Sequence, residues 1–312
     1  MRSSRARTSD SFWWGEQPKP DRVKRVEFLE VAAGAALIGA AGRDVSIPVE
    51  MRGGRFFAVP RTRAGGVLAC WLDTSGSGFV FDASVDRFEL TTYRSNGKRF
   101  ARLPKFEYAY GIPELVAAAG LPIFERNASD RADPILQGFD AQLGRTWFAG
   151  RVWRFDFVRG SLTLLTTTAS PRSGGAPLFF AAGYPYVRVR IEERTLAMSF
   201  DTAASVAYKP VNTGEAFVSA TSFIRRAAFE RWRAAHPEWR LERNVAVTGG
   251  IDQITVPRLN VGATEFADVA FTTRPGDDVF EGEPHIDGKL GSNAYHRSLV
   301  FIDYPKARIW FR

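Results

Sequence analysis

Two aspartate-bearing segments stand out because nearly the same pattern occurs twice, 128 residues apart. Trp71–Ser77 and Ser199–Ser205 each combine an apolar strand, an Asp-Thr pair, small residues and a final serine. Two carboxyl groups about 3 Å apart cannot both ionise cheaply, so they share one proton. The ionised member can take a proton from water, and the protonated member can polarise a carbonyl group. If the fold brings Asp73 and Asp201 together, this dyad predicts hydrolysis without a metal or another cofactor.

Further landmarks repeat in the same order after each aspartate. Phe139–Gly144 in the first half corresponds to Ile286–Gly291 in the second, with Asp-x-x-Leu-Gly in common. A third aspartate follows 16 residues later in both halves, and each one leads to an apolar strand. The matched order predicts a duplicated half. The aspartates that recur outside the dyad lie at expected strand ends and turns, so we predict structural roles for Asp140, Asp156, Asp287 and Asp303.

Together these motifs resemble those of the aspartic peptidases, the family of pepsin and the retroviral proteases, over roughly residues 45–312. The nearest likeness is to bacterial two-lobed, retropepsin-like proteins. The resemblance implies a single-chain endopeptidase that cleaves peptides or proteins with the catalytic pair Asp73 and Asp201. It also implies supporting roles for Thr74, Ser75, Leu143, Gly144, Thr202, Ala203, Leu290 and Gly291. A turn at Asn96 and Gly97 begins about where a retropepsin flap would.

The sequence departs from the family pattern beside both aspartates. The glycine of Asp-Thr-Gly is replaced by Ser75 in the first half and by Ala203 in the second. Glycine there lets the backbone pass close to the carboxylates and the substrate. Gln142 is polar where the family has an apolar residue. These changes leave a second interpretation open, a catalytically impaired exported protein that binds a peptide or small ligand in the same cleft.

The predicted fold is all-β, with two similar pepsin/retropepsin-like β-barrel lobes and a cleft between them. Short apolar or alternating runs separated by turn residues predict strands in both halves. Helices are predicted at Pro113–Ala119 and, as the one notable helix of the second lobe, at Ala220–His236. The expected organisation is a tail with an export signal (1–44), an N-terminal lobe (45–168), an interlobe linker (169–178) and a C-terminal lobe (179–312).

Composition and charge narrow the possible partners. The chain has 312 residues, 45% apolar and 24% charged, which is typical of a globular protein. Its net charge of +8 is spread over a surface of both signs, so we predict no nucleic-acid binding. A complete dyad within one chain favours a monomer. One cysteine forms no internal disulfide, and the three histidines lack the spacing of a helical zinc site.

An apolar run of 12 residues follows a basic pair near the N-terminus. Val31–Gly42 is too short to span a bilayer, but it fits the core of a signal peptide. The sequence therefore predicts export to a bacterial periplasm or secretion, with no stable membrane span. A cytoplasmic location, with this run as a short structural helix, is the alternative.

Overall fold

The computed structural model describes residues 44–107, 111–113, 120–166, 171, 174–209, 216–273, 280 and 286–312. The predicted export signal and nearly all of the predicted tail lie outside these residues, as does the predicted helix Pro113–Ala119 beyond its first residue. Those expectations stay predictions. No helix in the part of the chain just defined is long and apolar enough to cross a membrane.

The first half is built mainly from short strands. These are β1 (Val45–Ile47), β2 (Val49–Arg52), β3 (Arg55–Ala58), β4 (Cys70–Leu72), β5 (Phe79–Phe81), β6 (Thr92–Ser95), β7 (Lys98–Ala101), β8 (Leu121–Phe124), β9 (Ala141–Leu143), β10 (Val152–Asp156) and β11 (Ser161–Leu165). Its helices are α1 (Asp82–Arg87), α2 (Ala128–Ala132), a 3₁₀ turn (Pro134–Leu136) and α3 (Arg145–Phe148).

The second half has longer strands and the longest helix of the described chain. The strands are β12 (Ala176–Pro177), β13 (Phe179–Ala181), β14 (Tyr184–Ile191), β15 (Arg194–Asp201), β16 (Ser205–Tyr208), β17 (Phe217–Ala220), β18 (Ser222–Ile224), β19 (Leu241–Glu242), β20 (Gln253–Val261), β21 (Thr264–Thr272), β22 (Gly288–Gly291), β23 (Leu299–Asp303) and β24 (Arg308–Phe311). The helices are α4 (Arg226–Ala235) and α5 (Ser292–Tyr295).

Each half contributes an eight-stranded sheet, and the two sheets have the same topology. The first runs β2-β3-β4-β9-β5-β8-β7-β6, and the second runs β13-β14-β15-β22-β18-β21-β20-β19. The pairings match in sense at every position: β4–β9 and β15–β22 are parallel, as are β5–β8 and β18–β21, and the rest are antiparallel. In the second half β14 also pairs with β20, which closes the sheet on itself. The predicted all-β, two-lobed fold is confirmed.

A six-stranded sheet joins the halves, in the order β1-β11-β10-β23-β24-β12. Its first three strands come from the first half and its last three from the second. At its centre β10 and β23 pair along their whole length, from Val152 opposite Asp303 to Asp156 opposite Leu299. Strand β12, within the expected linker, pairs with β24 as β1 pairs with β11. The shared sheet therefore has the same two-fold arrangement as the lobes.

The repeated aspartates outside the dyad anchor backbone. Asp140 accepts a hydrogen bond from the N–H of Ala69, and Asp287 accepts one from the N–H of Ala197, each at 2.9 Å. Both donors lie four residues before a dyad aspartate. Asp156 and Asp303 each accept from the N–H three residues onward. The predicted structural roles are confirmed.

One predicted helix is shorter than expected. Helix α4 begins at Arg226, not at Ala220, because Ser222–Ile224 forms strand β18 between β21 and β22. The Phe223 side chain is buried in that sheet environment, and sheet pairing overrides local helical propensity there. The hairpin at Asn96 and Gly97 is present, with Ser95 opposite Lys98 and positive φ at both turn residues.

Candidate active site

Equivalent parallel strand pairs carry the two dyad aspartates. Asp73 follows β4, which pairs with β9, and Asp201 ends β15, which pairs with β22. The strand before each aspartate is apolar and fully buried at Leu72 and Phe200. Both aspartates are themselves buried, with 9% and 5% of their surface exposed. The fold thus delivers two carboxyl groups from its interior at corresponding points of the two lobes.

A crossed set of hydrogen bonds ties the two aspartate loops together. The N–H of Thr74 donates to the Oγ1 of Thr202, and the N–H of Thr202 donates to the Oγ1 of Thr74, both at 3.1 Å. Each hydroxyl then donates into the opposite half, Thr74 to the carbonyl of Phe200 (2.6 Å) and Thr202 to that of Leu72 (2.9 Å). Both threonines are fully buried. The network fixes the separation of the loops and follows the two-fold symmetry.

The Asp73 carboxylate accepts hydrogen bonds from its own loop and from β9. Its Oδ1 accepts from the N–H of Ser75 at 2.9 Å, and its Oδ2 accepts from Nε2 of Gln142 at 2.5 Å. Gln142 is the polar residue that departs from the family pattern, and its side chain is buried beside the aspartate. A neutral amide donor therefore covers the oxygen that the loop backbone leaves open.

The Asp201 carboxylate has the corresponding contacts, with one change of charge. Its Oδ1 accepts from the N–H groups of Ala203 and Ala204, each at 2.8 Å. Its Oδ2 lies 3.6 Å from Nζ of Lys289, whose side chain is only 5% exposed. Tyr295 donates to the Asp201 main-chain carbonyl at 3.3 Å. A buried cation therefore stands beside Asp201 where the amide of Gln142 stands beside Asp73.

The surroundings of Asp73 favour its protonated form. Two effects raise the pKa of Asp73 to about 8. The larger is burial, and the second is the negative charge of Asp201. The Lys289 ammonium and the N–H groups of Ser75 and Gly76 act in the opposite direction, because they stabilise the ionised form. A carboxyl group that keeps its proton near neutral pH can serve as an acid and as a hydrogen-bond donor.

Two glycines allow strands β9 and β22 to back the loops closely. A Cβ on Gly144 would lie 2.3 Å from the carbonyl oxygen of Gly76, and one on Gly291 would lie 1.7 Å from that of Thr221. The preceding Leu143 and Leu290 are fully buried, and the Leu143 carbonyl accepts from the N–H of Asp73 at 3.0 Å. Leu143 and Gly144 thus contact the first aspartate loop, and Leu290 and Gly291 pair with Phe200 and Asp201 at the second.

The expected flap residues are not among the dyad's contacts. Asn96 and Gly97 are exposed at the β6–β7 turn, at the edge of the first eight-stranded sheet. Lys289 is the site residue that sequence reasoning missed. The sequence does contain one indication of its place in the site: Lys289 and Gln142 occupy the same position in the two Asp-x-x-Leu-Gly segments.

Cys70 lies near the first loop, but its surroundings are apolar. It is fully buried, and burial raises the pKa of its thiol, as for a small hydrophobic side chain of the core. Across the described ranges, the His, Cys, Asp and Glu side chains form no group of three or more that could hold a metal ion.

Comparisons with known proteins support the fold. No family model matches the sequence, and no curated protein matches it. Among solved structures, the chain is similar to basic 7S globulin from soybean, with 9% identity, a TM-score of 0.50, and coverage of 87% of this chain and 95% of that one. An aspartic proteinase from Irpex lacteus gives 11% identity, a TM-score of 0.46, and coverage of 86% and 97%.

A retropepsin-like aspartic protease from Rickettsia conorii gives 14% identity and a TM-score of 0.29, with coverage of 43% of this chain and 86% of that one. At these identities the soybean globulin indicates a shared fold and nothing about activity. The lower scores of the two proteases add no weight to that conclusion.

Proposed function

We propose that the chain is an aspartic-type endopeptidase that hydrolyses peptide bonds at Asp73 and Asp201. The observation that carries the proposal is the crossed hydrogen bonding of Thr74 and Thr202, which holds two buried carboxyl groups in equivalent loops. A loop pair held this tightly suits catalysis, because the acid and the base must keep their relative position through the reaction. The resemblance of the motifs to aspartic peptidases supports the same reaction.

In the proposed reaction the ionised carboxylate takes a proton from a water molecule, and the water oxygen forms a bond to the peptide carbonyl carbon. The carbonyl π electrons move to its oxygen, which accepts the proton of the other carboxyl group. When the tetrahedral intermediate collapses, one hydroxyl returns its proton to that second group. The C–N bond breaks, and the amine nitrogen receives the proton taken from water. Both carboxyl groups then have their starting protonation states.

The test is cleavage of a mixed peptide library between pH 3 and pH 8, by wild type, Asp73→Asn and Asp201→Asn. We expect each dyad variant to lose at least about a thousandfold in kcat/KM while remaining folded, since both groups act in one step. Asp156→Asn is the matched control, because Asp156 recurs in the repeat but lies outside the dyad. Equal activity in the folded wild type and dyad variants would refute the proposal, as would no cleavage by wild type at any pH.

A second candidate is an exported binding protein that uses the cleft between the lobes without cleaving its ligand. Ser75 and Ala203 add side-chain atoms where the family has glycine, and Gln142 and Lys289 already contact the Oδ2 atoms of the dyad. These contacts favour a site that holds a ligand and performs no chemistry on it. Peptide binding by a wild type that cleaves nothing, measured by calorimetry with the same library, would favour this candidate.

A further inference from the structure

Gln142 and Lys289 occupy equivalent positions in the repeat, yet they differ in charge. Gln142 on β9 lies opposite Trp71, two residues before Asp73, and Lys289 on β22 lies opposite Ser199, two residues before Asp201. Both residues are buried, at 7% and 4% exposure. Each reaches the Oδ2 atom of the neighbouring aspartate. Within the described residues, the positive charge of Lys289 therefore breaks the two-fold symmetry at the dyad.

We propose that Lys289 is a positioning residue that assigns the roles within the dyad, keeping Asp201 as the ionised base and leaving Asp73 as the proton-carrying acid. The inference rests on the proposed function, because these roles have meaning only for a hydrolytic dyad. In this assignment Asp201 takes the proton from water, and Asp73 donates its proton to the carbonyl oxygen. A symmetric pair would have no fixed choice between the two aspartates.

The physical reason is the cost of burying charge. An ammonium and a carboxylate 3.6 Å apart, both nearly excluded from solvent, stabilise each other, whereas either one alone would be strongly disfavoured. Lys289 also acts to lower the pKa of Asp73, but burial and the charge of Asp201 outweigh it. Gln142 gives Asp73 a neutral donor that can accompany either protonation state. The ion pair thus selects Asp201 for the negative charge, and the proton remains on Asp73.

In the described part of the chain two phenols also lie near the dyad, and neither can take this role. Tyr295 donates a hydrogen bond to the Asp201 backbone carbonyl. Tyr304 lies in the β23–β24 turn, and a negative charge on Asp73 raises the pKa of its phenol. Burial raises the pKa of both phenols above the usual value of 10, so they stay neutral below that pH. The proposed assignment has Asp73 protonated, Asp201 ionised and Lys289 charged. This state lasts until Asp73 loses its proton near pH 8, so activity should extend to neutral pH.

The test is a carbon-13 NMR titration of the aspartate carboxyl groups from pH 3 to pH 9, without peptide. In wild type we expect two dyad steps: Asp201→Asn should remove the lower step, and Asp73→Asn the upper. Lys289→Met should raise the lower step by about 1–3 pH units, because a nearby opposite charge lowers a carboxyl pKa by that amount. Lys289→Arg should restore the lower step. Gln142→Met, the matched neutral control, should leave the lower step in place.

The acidic limb of the pH profile of kcat/KM should move with the lower step in Lys289→Met. If the single variant Asp73→Asn, which keeps Lys289, loses the lower step, the assignment is wrong. This result does not require that Lys289→Met folds. A Lys289→Met protein that folds with an unmoved lower step would also overturn it. The titration needs no turnover. An inactive wild type would therefore refute the proposed function, while the NMR titration would still decide which aspartate Lys289 keeps ionised.

Discussion

At the scale of single residues, Asp73 links the site to the stability of the protein. Its pKa is raised from 3.8 to about 8, mainly by burial. Between these values the folded protein keeps the Asp73 proton while the unfolded chain releases it. The unfolded state therefore binds fewer protons, and the free energy of unfolding falls as the pH rises through this range. The favourable contribution is complete below pH 4 and is lost by about pH 8.

Asp73→Asn should remove this dependence. We expect the free energy of unfolding of the variant, relative to wild type, to increase with pH between about 4 and 8, with a slope of at most about 1.4 kcal/mol per pH unit. Urea unfolding of both proteins at half-unit pH steps measures the difference. Parallel curves would mean that Asp73 is ionised in the folded protein throughout the range.

The sequence predicted which residues meet at the site, but not that a buried lysine lies beside Asp201. Asp73, Asp201, Thr74 and Thr202 could be predicted because the repeat marks them twice. Lys289 was missed, since a lysine in a strand normally reaches solvent and its matched position in the repeat does not by itself indicate burial. Only the pairing of β22 with β15, and the burial that follows from it, turns that side chain toward Asp201.

At the scale of elements, the parallel pairs β4–β9 and β15–β22 set how closely the loops are backed. Gly291 packs against the Thr221 carbonyl so closely that a Cβ would lie 1.7 Å from that oxygen. Gly291 is paired with Asp201 in the sheet, and the N–H of Thr221 donates to the Ala204 carbonyl at 3.0 Å, so neither backbone can move away alone. The requirement for glycine at this position is therefore steric.

Gly291→Ala should destabilise the folded protein by about 3 kcal/mol or more, because the added methyl group overlaps fixed backbone. Gly144→Ala meets the Gly76 carbonyl at 2.3 Å and should also be costly. Val158→Ala is the control, since that side chain is 69% exposed. Midpoints of urea unfolding give the comparison, and a Gly291→Ala midpoint equal to that of Val158→Ala would contradict the packing described.

Element boundaries were less predictable than the elements themselves. The Asn96-Gly97 turn fixed its hairpin because both residues accept positive φ. The start of helix α4 was misplaced because Ser222–Ile224 pairs with β21 and β22, two strands far away in sequence. Local pattern could not reveal that long-range pairing.

At the scale of the whole molecule, the two lobes share one six-stranded sheet. Strands β10 and β23 lie at its centre, and Phe155 of β10 packs in the same hydrophobic core as Val300 and Ile302 of β23. The hairpin tip at Gly53 also accepts a hydrogen bond from the N–H of Ala220 in the other half (2.8 Å). Unfolding either lobe would leave the central strand of the other, β10 or β23, without its partner in the shared sheet.

We therefore expect the described lobes to unfold together. Differential scanning calorimetry should give one transition, with the calorimetric enthalpy equal to the van't Hoff enthalpy. Phe301→Pro, which places a proline on the central strand β23, should lower the midpoint of that single transition without splitting it. Two resolved transitions in wild type would show that the shared sheet does not couple the lobes.

The central pairing of β10 and β23 also has a consequence for biosynthesis. Val152 and its partner Asp303 are separated by about half of the chain. At ribosomal rates of roughly 5–20 residues per second, β10 emerges on the order of ten seconds or more before its partner. During that interval the first half presents an unpaired strand edge, which other nascent chains can match. This strand is where a holding chaperone would protect the growing polypeptide, and where two chains would exchange their C-terminal strands if it did not.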